Sequence, residues 1–238
     1  MKKILFALSL VMGLVSCDLD KDIPVIIQEM MNIDNDLLVN DSGVKYSIKD
    51  PAMSSKILSQ RRVFMAGTAV KSETAGYDFL LSPYDWYGVA IQNCVTLSTV
   101  QDVEETLGSD PVGINQVWSG GGYINALTIV SYEYGDENFS CAINMVFDDT
   151  RSTDTDLYFI LKNKQVGKNW SDDDLDMYEV EFGSQYFSFP YEQYLKPGFK
   201  GDVTFHIEWE WFDPSPYTGE VPYRTVSAQQ GTYTITVK

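Results

Sequence analysis

Asp202-Val203-Thr204-Phe205-His206-Ile207-Glu208-Trp209-Glu210-Trp211 decides the fold class. Apolar residues take every second place, and Thr204, His206, Glu208 and Glu210 fill the others. A period of two is the signature of a strand with one face on a core and the other in water. A helix would return its apolar residues every three or four places instead. The same alternation recurs at Thr232 to Lys238, where threonines interleave with Tyr233, Ile235 and Val237.

Further strand-like runs lie upstream at Arg62 to Val70, Tyr77 to Ser82, Val89 to Thr99, Tyr123 to Tyr132, Cys141 to Asp148, Leu157 to Lys162 and Met177 to Phe189. All are rich in β-branched and aromatic residues. Turn-forming clusters separate them, among them Lys71 to Gly76, Gly135 to Asn138, Asp148 to Asp156 and Pro214 to Gly219. Only Val100 to Leu107 and Pro190 to Leu195 suit short helices. Many short strands between such turns predict an all-β protein of sandwich or barrel type. A composition break at Gly108-Ser109-Asp110-Pro111 predicts two domains, a small barrel over residues 24–107 and a two-sheet sandwich over 108–238.

The chain begins differently. Lys2 and Lys3 precede an apolar run from Ile4 to Val15, broken only by Ser9 and Gly13, which ends in Leu14-Val15-Ser16-Cys17. These are the parts of a secretory signal with a lipobox. Residues 1–16 are then the signal peptide, and Cys17 carries the lipid. The apolar run, at about a dozen residues, is shorter than the roughly 20 that a membrane span needs. Two or three acyl chains anchor a protein durably where one does not. Residues 17–23, with Asp18, Asp20 and Asp22, follow as an acidic tether.

The charge of −17 excludes some partners. Nucleic acid requires a basic footprint, and anionic head groups repel acid, so the lipid rather than a basic patch makes the membrane contact. Acidity here does not mean disorder, because 44% of residues are hydrophobic and 13% aromatic.

No residue pattern names a reaction. His206 is the one histidine, so a zinc site of several imidazoles cannot be built. No G-x-S-x-G elbow accompanies it. The acidic clusters Asp148-Asp149, Asp154-x-Asp156 and Asp172 to Asp176 lack the layout of a calcium loop and read as solvated hairpin loops, the last being the better candidate for a weak calcium site. With this many acids a carboxylate pair at glycosidase spacing arises by chance. The expectation is no enzyme, no cofactor and no metal. Trp209 and Trp211 share the apolar phase of their strand and belong to the core. Trp86, Trp118 and Trp170 lie near turns and are the aromatics that could face a ligand such as a glycan. Cys94 and Cys141 read either as two buried thiols or as a disulfide across the fold.

The order of short phrases resembles one family. Arg62-Val63-Phe64 and Gly76-Tyr77-Asp78-Phe79 precede Gly108-Ser109-Asp110-Pro111-Val112. Ile114 to Trp118, Gly121-Gly122-Tyr123-Ile124-Asn125 and Ile143 to Thr150 follow. This is similar to the NigD-like lipoproteins. The resemblance implies an N-terminal OB-type barrel ahead of a C-terminal β-sandwich. It implies no reaction and no functional residues. It suggests a non-enzymatic lipoprotein that presents an interaction surface, in the manner of a bacteriocin-immunity protein, to a toxin or another envelope protein. Glycan binding is the alternative. The acidic tether resembles the export address of lipoproteins sent to the outer face of the outer membrane, so cell-surface exposure is expected, with the periplasmic face as the alternative.

Overall fold

The computed structural model describes residues 23–169, 179–212 and 226–237. The expected signal peptide, Cys17, almost all of the tether, Trp170, the Asp172 to Asp176 cluster and the Pro214 to Gly219 turn lie outside the described residues.

The first five strands close into a barrel. They are β1 (Val25–Asp34), β2 (Leu37–Asn40), β3 (Lys45–Ile48), β4 (Arg62–Lys71) and β5 (Phe79–Gly88). Their order around the barrel is β1-β2-β3-β5-β4, with β4 returning to β1 and β3 parallel to β5. This is the five-stranded OB arrangement. Asn35 and Asp36 supply the positive φ values, 48° and 62°, that a two-residue hairpin between β1 and β2 requires. Helix α1 (Pro51–Ile57) joins β3 to β4. Asp50 caps it by accepting from Ala52 N at 2.8 Å, and Pro51 sits where a first turn tolerates proline. Ile57 carries α1 into a core of Met31, Leu38, Val63, Met65 and Leu81, all fully buried.

Two further sheets form the sandwich. Their strands are β6 (Ala90–Ile91), β7 (Val95–Thr96), β8 (Gly113–Gly120), β9 (Tyr123–Glu133), β10 (Ser140–Phe147), β11 (Asp156–Val166), β12 (Val180–Pro190), β13 (Gly201–Phe212) and β14 (Val226–Val237). One sheet runs β14-β13-β11-β10-β7 and the other β6-β12-β9-β8. Between them lies a core that includes Ile124, Ile143, Met145, Leu157, Phe159, Phe187 and Phe189. The phase read from Asp202 to Trp211 holds: Val203, Phe205 and Ile207 are at most 1% exposed, and their neighbours face outward. Burying each such side chain is worth about 1.5–3 kcal/mol. Trp209 packs on this core. Trp211 lies over Gly113, where a β-carbon would come within 2.9 Å of the indole.

The structure moves the expected boundary between the two units. The barrel ends at Gly88, and β6 and β7 already pair with β12 and β10, one in each sheet of the sandwich. The crossover is therefore at Gly88 to Ala90, not at Gly108. Val89 to Thr99 is not one strand, because the chain passes from one sheet to the other at Gln92 to Cys94 and closes with a turn of 3-10 helix at Leu97–Thr99. Nor is Gly108-Ser109-Asp110-Pro111 a linker. It follows helix α2 (Val103–Leu107) and is fastened to β11. Asp110 N donates to Asn163 O, and its carboxylate accepts from Gln165 N and from Asn169 Nδ2. Gly108 has φ +82°, and a side chain there would run into the Asn163 backbone. The turn residues mark a tight docking, not a domain edge.

Candidate functional site

Among the described residues, Arg62 is the largest fully buried side chain. It begins β4 and reaches out of the barrel into the outer face of the four-stranded sheet. There the register places Ser188 on β12 beside Asn125 on β9, and Asn125 beside Trp118 on β8. Arg62 Nε donates to Ser188 Oγ at 2.9 Å and Nη1 to Asn32 Oδ1 at 2.7 Å. Nη2 donates to both carboxylate oxygens of Asp41, at 2.8 and 3.0 Å, and to Asn125 Oδ1 at 3.1 Å. The guanidinium lies 4.5 Å from the centre of the Tyr123 ring. Asn32 and Asp41 come from the barrel, and Asn125, Ser188 and Tyr123 from the sandwich. One cation thus holds the two units together.

Asp41 is the acid of this seam. Burial raises its carboxyl above the ordinary value, and the charge and hydrogen bonds of Arg62 oppose the rise. The carboxylate presses against the hairpin between β8 and β9. A β-carbon on Gly120 or Gly121 would collide with it. The glycine run therefore serves the seam as much as the turn.

A cleft of about 540 Å³ opens beside this lock. Gln28, Glu29 and Met30 on β1, Phe64 on β4, and Asn40, Asp41 and Ser42 at the end of β2 form its barrel side, with Gln116, Trp118 and Ser119 on β8 opposite. Its polar groups are held in place. Asn40 Nδ2 donates to Glu29 Oε2 at 2.6 Å, and Asn40 Oδ1 accepts from Ser42 N and Val44 N. Burial and the nearby Glu29 charge push the Tyr46 hydroxyl upward as it donates to Glu29. Phe64 stacks on Tyr186 with centroids 4.5 Å apart, and Tyr87 leans on the same ring. The lining offers amides, carboxylates and aromatic faces, but no cysteine or histidine.

The aromatics expected to face a ligand separate here. Trp118 lines the cleft, half-buried. Trp86 instead packs against the barrel core. Sequence reasoning did not find Arg62, Asp41 or the Glu29–Asn40 pair. Their signal was slight: a charged residue heading a strand otherwise read as apolar.

His206 is fixed to the outer face of the five-stranded sheet. It hydrogen-bonds Asp156 at 3.2 Å and stacks on Tyr158 with centroids 4.3 Å apart. The first acidic clusters lie in the largely exposed β10–β11 hairpin loop, as expected, except for Asp148. Asp148, 3% exposed, accepts from Thr150 N and Oγ1 and from Arg151 Nε, and Arg151 reaches on to Glu208. Asp149 accepts from Ser98, and Asp154 pairs with Lys196. No group of three or more potential metal ligands occurs among the described residues. Cys94 and Cys141 are both free, and burial pushes the Cys94 thiol up to about 12.

Solved structures from Bacteroides species share this architecture. A NigD-like immunity protein from Bacteroides caccae superposes with a TM-score of 0.56 at 16% identity, over 87% of this chain and 91% of that one. The fold is that of the NigD-like proteins. A protein of unknown function from Bacteroides vulgatus, assigned to DUF1344, superposes with a TM-score of 0.56 at 16% identity over 91% of this chain and 92% of its own. A protein described as a lipoprotein, from Bacteroides fragilis, superposes with a TM-score of 0.54 at 12% identity over 90% and 99%. No protein-family model matches the chain, and none of the curated proteins does. No helix among the described residues is long and apolar enough to cross a membrane.

Proposed function

We propose that this chain is a non-enzymatic outer-membrane lipoprotein, anchored through Cys17 and displayed at the cell surface, that binds a protein partner in the cleft at its barrel–sandwich seam. The partner is a toxin or another envelope protein, as the likeness to an immunity protein suggests. The observation that carries the reading is the locked seam. Arg62 fixes the two walls of the cleft relative to each other, and pre-organised walls lower the entropic cost of binding. The lining supplies recognition groups and no nucleophile–base pair.

A photo-crosslinking amino acid at Ser42, on the exposed rim of the cleft, tests this in cells. A discrete covalent adduct with one envelope or secreted protein supports the reading. Absence of any protein adduct, in a variant that is folded and lipidated, removes it. Cys17→Ala tests the anchor separately: the protein should move from the membrane pellet to the soluble fraction.

Trp118 favours a second reading. Its half-buried indole beside fixed amides and a carboxylate is the combination that stacks on and hydrogen-bonds a neutral sugar. Calorimetric binding of neutral oligosaccharides that disappears in Trp118→Ala would support glycan capture instead.

A further inference from the structure

Strand β14 is the last strand of the five-stranded sheet, and among the described residues it pairs with β13 alone. Its twelve residues contain no charge and no proline, and the ladder to β13 runs without a register shift. Edge strands are ordinarily protected by charge, proline, a bulge or a cover, because their free backbone groups template another strand. The other edge strands of this sandwich are shorter or irregular. β6 and β7 are two residues long, while β8 carries an irregularity at Ile114 to Gln116 and has its far end against Asp41. Among the described residues β14 is the one edge strand longer than two residues whose ladder is unbroken.

The direction of its free groups follows from the next strand. Thr204 N donates to Thr155 O and Val112 N to Glu210 O, so even-numbered residues of β13 turn their backbone away from β14. Odd-numbered residues therefore make the hydrogen bonds between β13 and β14. Val203 opposes Ile235 and Phe205 opposes Tyr233. On β14 the N–H and C=O groups of Gln230, Thr232, Thr234 and Thr236 point to the open side. The core is also unfinished there. Val203, Phe205 and Ile207 are at most 1% exposed, whereas Tyr233, Ile235 and Val237 in the adjacent row remain half-exposed.

We propose that β14 pairs antiparallel with β14 of a second copy of this chain, making a two-fold symmetric dimer with one continuous ten-stranded sheet. Three features favour a copy of itself as the occupant. A chain of charge −17 repels its own kind almost everywhere, and β14 is a charge-free window in it. Antiparallel pairing across a two-fold axis is self-complementary. It sets the exposed threonine rows against each other, a favourable cross-strand pairing, and brings the half-exposed Tyr233 and Ile235 rows together on the other face. The dimer lies away from the cleft and does not depend on what the cleft binds.

Analytical ultracentrifugation of the soluble mature chain with Cys17 replaced by serine tests this. The parent should sediment as a dimer at micromolar concentration. Thr234→Pro removes a donor from the open side and leaves the β13 ladder intact. The symmetric loss should raise the dimer dissociation constant about tenfold or more. Gln230→Glu adds a negative charge on the same edge and should act in the same direction, while Ser55→Glu on α1 should not. Unchanged far-ultraviolet dichroism and thermal midpoint show that each variant is folded. A parent that stays monomeric at 100-fold higher concentration overturns the proposal. A dimer that both folded edge variants leave intact overturns it too, because association then uses another surface.

Discussion

Two arginines do opposite things with the same chemistry. Arg62 is 0% exposed and pairs with Asp41 in the seam between barrel and sandwich. Arg151 is 41% exposed and pairs with Asp148 and Glu208 across the rim of one sheet. It also lies over Tyr158, which stacks on His206. The Arg62 guanidinium has given up its water and depends on every neighbour to replace it. Arg151 keeps much of its water, and the buried Asp148 carboxylate has Thr150 N and Oγ1 as further donors, so the loss of Arg151 is partly made good by solvent and by Thr150. The first therefore holds an architecture and the second trims a surface.

The largest effect should come from Arg62→Ala. It leaves the Asp41 carboxylate, Asn32, Ser188 and Asn125 without their shared donor. Removing one partner of a buried pair typically costs about 3–5 kcal/mol. Urea unfolding should show that loss, and a second transition where the barrel and the sandwich separate. If the variant keeps the parent's stability and a single transition, the seam is not held by Arg62. The double variant Arg62→Met with Asp41→Leu should recover most of the loss, because removing both charges removes the desolvation problem.

Gly121→Ala probes the same seam from the other side. Gly121 has φ +58°, and its β-carbon would strike Asp41. A left-handed position costs a non-glycine residue about 1–3 kcal/mol, and the collision adds to it. Asp41→Ala in the Gly121→Ala background should return part of the collision term but none of the backbone term. A fully additive double-mutant cycle would show that the two residues do not touch.

How much of this was legible in the sequence follows from what sequence patterns encode. The sandwich was legible because β13 alternates cleanly and its inward row, Val203 to Ile207, meets a core. The barrel was less so. β1, β2 and β3 sit in Val25 to Ile48, where Gln28, Glu29 and Asn32 interrupt the alternation, and strands of four residues give almost no period to read. Helix α1 was not expected, and Asp50-Pro51 is the signal that could have found it. The boundary was misplaced because glycine and proline mark a turn whether it links domains or docks on a strand, and Asp110 does the latter. The seam was invisible. Arg62, Asp41 and Asn125 are far apart in the chain and ordinary one at a time; only the closed barrel brings them together. Trp86 and Trp118 looked alike beside their turns, yet one faces the barrel core and the other the cleft.

Trp209→Ala sets a scale between the two arginines. The indole packs on the sandwich core but is not fully buried, so its truncation should fall toward the lower end of the roughly 3–5 kcal/mol seen for fully buried aromatics. Trp118→Ala should cost less stability and instead affect binding. Equal melting points for Trp209→Ala and the parent would place that indole outside the core.

The smallest effect at neutral pH should come from Arg151→Gln. Exposed pairs such as Arg151–Glu208 contribute about 0.2–1 kcal/mol, and because buried Asp148 keeps its two Thr150 donors the variant should lose about 1 kcal/mol. The difference should grow informative in acid. Burial raises the Asp148 carboxyl, but hydrogen bonds from Thr150 and Arg151 outweigh it and leave a net lowering. Glu208 is lowered chiefly by its hydrogen bond from Arg151. A carboxyl held lower in the folded state adds stability above its unfolded value, and that contribution drains away as pH falls through the folded value. The parent should therefore lose stability as pH falls below about 4, the unfolded range for these acids. Arg151→Gln, with both carboxyls nearer their ordinary values, should lose less over that interval. Asp41 has the opposite sign. Its carboxyl is raised, so acid relieves it and cannot account for the decline. Urea midpoints at pH 7, 4 and 3 for parent and variant separate the cases. Curves that stay parallel down to pH 3 would mean that the Arg151 cluster does not govern the acid limb.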